Sequence, residues 1–180
     1  VLYALERIGV TAVVTDDAIV LQNADKVIFP GVGEASTSMM YLKERNLDQL
    51  ILQLKQPVLG ICLGMQLMCA FSEENQTTCL GIFNERVNQF KSNDPLIKVP
   101  QMGWNTIIHL NSPLFKGVDE ASFVYFVHGY YASIGDNTIA QTDYIHSYSS
   151  ALHKDNFYGV QFHPEKSHRF GLDLFSRFLA

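Results

Sequence analysis

One cysteine of this sequence lies in a setting that suits a nucleophile. Cys62 is flanked by two glycines in the segment Gly60-Ile-Cys62-Leu-Gly64, directly after a short apolar run. A nucleophile on a sharp turn between a strand and a helix needs small neighbours, as in the elbow of many hydrolases. The helix that follows adds its positive N-terminal end, which favours the reactive thiolate. Cys69 and Cys79 lack such paired glycines, and we interpret them as buried structural residues.

A base for this cysteine is predicted near the C-terminus, in the segment Gly159-Val-Gln-Phe-His163-Pro-Glu165. Of the six histidines, only His163 is followed by a carboxylate that an intervening proline turns back. Such a carboxylate can fix the tautomer of the imidazole and stabilise its protonated form. A histidine that merely ends a strand is the plainer interpretation, but it leaves Glu165 unexplained. The sequence therefore predicts a catalytic triad of Cys62, His163 and Glu165.

A glycine turn, Gly31-Val32-Gly33, follows the apolar run 26–30. Most such turns only reverse the chain. In open parallel sheets, however, ligands bind at the C-terminal ends of the strands, where Cys62 and His163 are also expected. Backbone amides at that edge can donate hydrogen bonds to the oxyanion of a tetrahedral intermediate.

Strands and helices alternate along the first half of the chain and must position these residues. Apolar, β-branched runs predict strands at 11–15, 26–30 and 58–61, and helical periodicity predicts helices at 36–56 and 63–71. This alternation indicates an α/β fold of the flavodoxin-like kind, with an open, mostly parallel sheet and helices on both faces. Shorter strand-like pieces fill 77–162, and a helix is expected at 170–179.

The organisation of the chain is predicted to be simple. No repeat or long linker interrupts it, so we expect one domain over residues 1–180. Residues 1–9 already follow a helical period that ends at Gly9. We therefore expect that the first strand of the sheet is missing from this sequence.

Bulk properties exclude several classes of function. A net charge of −5 gives no basic footprint for nucleic acid, and no apolar run approaches the roughly 20 residues that span a membrane. Three cysteines without a CxxC pair fit neither a disulfide framework nor a structural zinc site. We expect a cytoplasmic protein that uses no metal and no cofactor.

The segments PGVG, GICLGMQ and GVQFHPE, in this order, resemble the class I (triad) glutamine amidotransferases. Within that family, Pro100-Gln-Met-Gly-Trp-Asn105 and Tyr125-Phe-Val-His128 are similar to the glutaminase subunits of imidazole glycerol phosphate synthase, an enzyme of histidine biosynthesis. The resemblance implies that Cys62 attacks the carboxamide of glutamine, that His163 acts as base and acid, and that Glu165 orients it. Ammonia would then pass to a (β/α)₈ synthase (cyclase) subunit bound as a heterodimer partner.

The resemblance also implies roles for three further groups of residues. The oxyanion strand would be Gly31, Val32 and Gly33. The substrate's amino-acid end would be held by Gln66 and Glu74, and Gly129 and Tyr130 would also bind the substrate. The synthase subunit would contact Met102, Trp104, Tyr125 and Lys166.

Two positions depart from the pattern of that subfamily. Gln101 stands where a histidine usually precedes Met-Gly-Trp, and Gly129 stands where a serine or threonine usually follows the histidine of the Tyr-Phe-Val-His run. Because Gly129 has no side chain, one contact that the family is expected to make with the substrate at this position is left to the backbone. The departure at Gln101 keeps open whether the partner serves histidine biosynthesis or another pathway.

Three alternative functions differ in their use of the same residues. Similar glutaminase subunits serve surface-sugar amidation, which would change only the acceptor of the ammonia. A cysteine peptidase or glyoxalase-like enzyme also uses an elbow cysteine, but the His-x-Glu pair and the Met-Gln after the elbow argue against it. A binding module with a degenerate site would lack part of the triad, and all three residue types are present.

Overall fold

The structure is a computed structural model that describes all 180 residues. Its α-helices are α1 (Leu2–Glu6), α2 (Ala18–Asn23), α3 (Ala35–Glu44), α4 (Leu47–Gln53), α5 (Leu63–Met68) and α6 (His168–Leu179). Its strands are β1 (Val27–Gly31), β2 (Val58–Cys62), β3 (Phe71–Ser72), β4 (Thr77–Thr78), β5 (Arg86–Gln89), β6 (Gln101–Ile107), β7 (Ser122–His128), β8 (Tyr130–Ala132), β9 (Thr138–Tyr144), β10 (His146–Lys154) and β11 (Phe157–Val160). Single 3₁₀ turns occur at Glu74–Gln76, Pro113–Phe115 and Pro164–Lys166.

A nine-stranded sheet organises the molecule. Its strands follow the order β1-β2-β11-β10-β8-β5-β3-β4, and β9 pairs with β10. The strands β1, β2 and β11 run parallel, whereas β8, β9 and β10 pair antiparallel with their neighbours. The predicted α/β fold is confirmed, with one difference: the sheet is mixed, because the short connections of the second half join antiparallel strands and are too short for parallel crossovers.

Helices cover both faces of the sheet, as predicted. The side chain of Val58 belongs to a buried cluster with Met39 and Leu50 of α3 and α4. On the opposite face, Leu59 and Ile61 belong to a cluster that includes residues of α1 and α6. Because successive side chains of a strand point to opposite faces, β2 is buried on both sides and fixes the position of the residue at its end.

Two predicted elements differ in the structure. The run 11–15 forms no strand, and Val13 and Val14 are 75% and 79% exposed. A β-branched run becomes a strand only where a neighbour completes its hydrogen bonds, and edge strand β1 pairs with β2 alone. The helix predicted at 36–56 is divided into α3 and α4 by Asn46, whose φ of 57° is left-handed. Asparagine tolerates this conformation better than most residues.

Residues of β6 and β7 form a separate two-stranded sheet. Its register pairs Met102 with Val127 and Trp104 with Tyr125, so these four side chains lie on the same face. The other face of the hairpin contributes Phe126 and Ile107 to the buried core. None of the helices is both long enough and apolar enough to cross a membrane.

Candidate active site

Cys62 lies at a strained turn between β2 and α5. Its φ of 53° and ψ of −112° lie outside the regions that non-glycine residues favour. A Cβ on Gly64 would collide with the carbonyl of Phe29, and one on Gly60 would lie 2.8 Å from the backbone nitrogen of Met65. The two predicted glycines therefore allow the helix and the neighbouring strand to close around the cysteine. This is the geometry of a nucleophile elbow.

His163, which is buried, and Glu165, which is partly buried, form a pair beside this elbow. Nδ1 of His163 lies 2.8 Å from Oε1 of Glu165, which the Pro164–Lys166 turn folds back towards the ring. The backbone of His163 is held as well, because its N–H donates to the carbonyl of Tyr125 and its own carbonyl accepts from the hydroxyl of Ser167. With Nδ1 bound to the carboxylate, Nε2 remains to face Cys62.

The charges of this pair stabilise each other. Burial lowers the pKa of His163, but hydrogen bonds with Cys62 and Glu165 outweigh it and raise the pKa to about 9. Burial raises the pKa of Glu165, and the hydrogen bond with His163 more than offsets it, so the pKa is lowered. Both shifts favour an imidazolium paired with a carboxylate near neutral pH. The thiol of Cys62 also donates to the carbonyl of Val127 at 3.7 Å.

A cavity of about 270 Å³ opens at the C-terminal ends of β1 and β2. Thirteen residues line it, and they include most of the predicted site: Cys62, His163, Gly31, Val32, Gly33, Gln66, Glu74, Gly129, Tyr130 and Lys166. Glu165 is not on the cavity wall and lies behind the imidazole. The structure thus brings the predicted catalytic, oxyanion and substrate-binding residues together around one cavity, whose size suits a small molecule.

Two acidic neighbours have different positions. Oε2 of Glu74 accepts from the backbone N–H of Ala35 at 2.8 Å, at the N-terminus of α3, and the residue lines the cavity. Burial raises the pKa of Glu74. Glu73 instead accepts from the N–H of Gln89 at 2.7 Å, outside the cavity. Of these two residues, only Glu74, to which the family resemblance gives a role, lines the cavity.

Gln66 exposes only an acceptor to the cavity. Its Nε2 donates to the carbonyl of Tyr130 at 2.9 Å and to Oε1 of Gln161 at 2.8 Å. An amide nitrogen has two hydrogens, so both donors are used. The polar atom that remains for a ligand is the carbonyl oxygen Oε1.

Gln161 and His128 were given no role in the site by the sequence. Gln161 is completely buried, and its Nε2 lies 3.6 Å from the sulfur of Cys62. His128 lines the cavity, and its Nδ1 lies 2.7 Å from the carbonyl of Tyr130. Burial lowers the pKa of His128 to about 4, so the ring is neutral. The available signal was a polar residue two positions before His163 in an apolar strand, which places both side chains on the same face.

Both departures from the family pattern lie close to the cavity. Gln101 is 3% exposed, and its side-chain amide lies 2.9 Å from Nε2 of His128 and 2.8 Å from the hydroxyl of Tyr148. It therefore belongs to the interior and not to the outer surface. Gly129 lines the cavity without a side chain, and its carbonyl accepts from the N–H of Phe90.

An exposed apolar face adjoins the cavity on the β6–β7 hairpin. Met102 is 66% exposed and Trp104 is 44% exposed. The indole of Trp104 stacks on His168 with centroids 5.0 Å apart, and Nζ of Lys166 lies 5.8 Å from the ring of Tyr125. Phe123, which the sequence did not single out, is 62% exposed on the same face. The four residues predicted to contact a partner are therefore close together at the surface.

Comparison with known proteins places this arrangement in a family. The family model described as glutamine amidotransferase class-I matches residues 2–179. A protein of Bacteroides fragilis (strain ATCC 25285), named imidazole glycerol phosphate synthase subunit HisH, is 60% identical over 98% of this chain and 90% of its own length. A HisH 1 subunit of Vibrio vulnificus (strain YJ016) is 42% identical over 98% of this chain and 89% of its own length.

Solved structures show the same fold at low sequence identity. A putative GMP synthase subunit from Thermoplasma acidophilum matches 99% of this chain and 84% of that chain, with a TM-score of 0.75 and 22% identity. The glutaminase domain of a Trypanosoma brucei CTPS with bound acivicin matches 98% of this chain and 84% of that chain, with a TM-score of 0.66 and 16% identity. Together with the sequence matches, the elbow and the mixed sheet lead to one conclusion: the chain belongs to the class-I glutamine amidotransferase family.

Proposed function

We propose that this chain is the glutaminase subunit of an imidazole glycerol phosphate synthase, which releases ammonia from glutamine for a cyclase subunit in histidine biosynthesis. The observation that carries the proposal is the arrangement of Cys62 on its elbow and the His163–Glu165 pair around one cavity. Support for the pathway comes from the 60% identity to a HisH subunit over nearly the whole chain.

The reaction proceeds through a thioester of Cys62. The thiolate attacks the side-chain carbonyl carbon of glutamine, and the negative charge moves to the carbonyl oxygen. His163, as imidazolium, then gives a proton to the leaving nitrogen, so that the C–N bond breaks and ammonia departs. A water molecule then attacks the thioester carbon while His163 accepts its proton. The C–S bond breaks, glutamate is released, and the thiolate of Cys62 and the imidazolium of His163 are restored. Glu165 keeps Nδ1 protonated and the ring in place throughout.

Substrate recognition relies on acceptors at one side of the cavity. The free Oε1 of Gln66 and the carboxylate of Glu74 both suit the α-ammonium group of glutamine, which has three donors and no acceptor. Gly129 and Tyr130 line the same wall. Removal of either acceptor is therefore expected to weaken glutamine binding more than the chemical step.

The oxyanion is stabilised by the Gly31-Val32-Gly33 strand, and this strand is the point of control. Val32 is β-branched, which restricts the backbone rotations that a second glycine would permit. We infer that its amide turns towards the oxyanion only when a partner is bound. Loss of one oxyanion donor typically costs about 10²–10³ in turnover, so the isolated chain is nearly idle. A bound partner shifts the strand towards its competent orientation through contacts made only in that state.

The partner is a (β/α)₈ synthase subunit that covers the exposed face of Met102, Trp104, Tyr125 and Lys166. This face is apolar, solvent-exposed and adjacent to the cavity, as a docking surface next to an ammonia exit requires. Gln101 had left a surface-sugar amidation partner open, but its buried position removes it from the contact surface. A single domain and a cytoplasmic location are part of the same proposal. The three unpaired, buried cysteines support the location, because the cytoplasm is reducing.

The proposal is tested by mixing the purified chain with candidate synthase subunits and measuring glutamate release. With an imidazole glycerol phosphate synthase cyclase that carries its own substrate, we expect strong stimulation above a low basal rate. A synthase of surface-sugar amidation serves as the control and should not stimulate. Stimulation by the control alone would establish the alternative acceptor, and no glutamate with either partner would refute the glutaminase assignment.

A further inference from the structure

A continuous chain of hydrogen bonds connects the substrate-binding wall to the sulfur of Cys62 through the interior. It begins at the carbonyl of Tyr130, continues through the amides of Gln66 and Gln161, and ends at Sγ of Cys62. We call these four groups the amide chain. Gln66 is 5% exposed and Gln161 is completely buried, so water does not compete for the bonds between them.

The direction of every bond in the amide chain is fixed by its first member. A backbone carbonyl can only accept, so the amide of Gln66 must turn its nitrogen towards Tyr130. The second hydrogen of that nitrogen points at Gln161, whose near atom must be the acceptor Oε1. The nitrogen of Gln161 is then directed at Cys62, 3.6 Å from Sγ. A flip of either amide would place two acceptors or two donors against each other.

The carbonyl that anchors the amide chain is itself held in place. It also accepts from Nδ1 of His128, at 2.7 Å. His128 is 6% exposed, and its other nitrogen lies 2.9 Å from the amide of Gln101 and 3.2 Å from the hydroxyl of Tyr148. The orientation of Gln161 is thus determined by several buried groups and not by its own rotamer preference alone.

We propose that Gln161 is a catalytic residue, whose side-chain N–H stabilises the thiolate of Cys62. This inference rests on the proposed role of Cys62 as the nucleophile. Hydrogen bonds to charged groups are about twice as strong as those between neutral groups, so the contact favours the thiolate over the thiol. This donor adds to the effect of His163, whose imidazolium supplies the opposite charge.

The amide chain also gives the substrate a way to influence the nucleophile. When the ammonium of glutamine donates to Oε1 of Gln66, it polarises that amide and strengthens the bonds that its nitrogen donates. The effect passes to Gln161 and increases the partial positive charge that faces the sulfur.

The test compares the pH dependence of alkylation of Cys62 by iodoacetamide in the full chain and in two variants. Gln161→Met removes the donor with little change in volume, and we expect the pH midpoint of alkylation to rise by about one unit, since a hydrogen bond to a charged group is of that magnitude. Turnover with the cyclase present should fall about tenfold at a pH below the midpoint. Gln161→Glu keeps an oxygen for Gln66 but turns a second oxygen to the sulfur, and its midpoint should rise at least as far.

Asn156→Leu is the matched control, since it removes another side-chain amide, whose hydrogen bonds go to the carbonyls of Leu54 and Gln56 away from the cavity. Its alkylation midpoint should equal that of the wild type even if its melting temperature falls. The other titratable groups on the cavity wall are His163, Glu74, His128, Tyr130 and Lys166, with Glu165 behind the imidazole, and all are unchanged in the variants. Wild-type midpoints in both Gln161 variants, with folding verified by circular dichroism, would overturn the inference. An active Cys62→Ala protein would instead overturn the proposed function.

Discussion

The wall of the cavity and the outer face of the β6–β7 hairpin differ in how their side chains are held. Around the cavity, His163, Gln66 and Glu74 each hold at least one hydrogen bond to a fixed partner within the chain. On the hairpin, Met102 and Phe123 are 66% and 62% exposed, large apolar groups that no part of the chain covers. The chemical groups are thus positioned by the protein itself, whereas the apolar side chains of the hairpin remain open to solvent.

The largest effect should follow a change on the cavity side. Because the thioester can form only at the elbow, Cys62→Ala is expected to lower glutamate release by about 10⁶ and leave the fold intact. Cys69→Ala is the control, since Cys69 is buried in the core away from the cavity. Activity is measured as glutamate formed with the partner present. If the Cys62 variant still hydrolysed glutamine, the reaction would not take place at Cys62, and the contrast between a catalytic cavity and a non-catalytic outer face would be wrong.

A smaller loss is expected when the orientation of the base is disturbed. Glu165→Gln removes the charge that holds His163, and turnover should fall by about 10⁴ with a smaller change in KM. The pKa of His163 should drop below its value of about 9, because the carboxylate no longer stabilises the imidazolium. NMR titration of the imidazole measures this shift. Glu73→Gln is the matched control outside the cavity. Wild-type turnover would reassign Glu165 to a structural role.

The smallest of the three effects concerns the outer face. Trp104→Ala should abolish the stimulation by the liganded synthase, a factor of about 10²–10³ if one oxyanion donor is at stake, and leave basal activity as it is. Cys62 should still react with a glutamine-like alkylating agent, which shows that the cavity is intact. Tyr3→Ala, an exposed aromatic residue on α1, is the control. Full activity of the purified chain without any partner would show that the Gly31-Val32-Gly33 strand needs no partner to bind the oxyanion. It would not affect the assignment of the triad.

The two regions also differ in how much of them the sequence could predict. The elbow and the His163–Glu165 pair depend on residues next to each other in the chain, and local patterns were enough to find them. Gln161 binds Gln66, 95 residues away, so its role depended on the fold. Phe123 was missed for a similar reason, since its exposure follows from the β6–β7 pairing. The roles given to the site residues stay predictions until they are measured.

Predictions of secondary structure from local sequence were wrong where contacts with distant parts of the chain decide whether a strand or helix forms. The run 11–15 has the composition of a strand but finds no hydrogen-bonding neighbour. The helical pattern of 36–56 does not reveal the left-handed turn at Asn46, because the apolar spacing continues on both sides of it. In contrast, β1 and β2 were predicted within one residue at either end, since their apolar runs are closed by proline and glycine turns.

The strand β7 belongs to both regions, which matters for the design of inhibitors. Its carbonyls at Tyr125 and Val127 accept from the backbone of His163 and from the thiol of Cys62. The side chains of the same two residues share the outer face with Met102 and Trp104. A compound bound to that outer face would contact the strand whose carbonyls hold His163 and Cys62. It would not need to resemble glutamine, and selectivity over other glutamine-using enzymes could then be sought on a surface that substrate chemistry does not constrain.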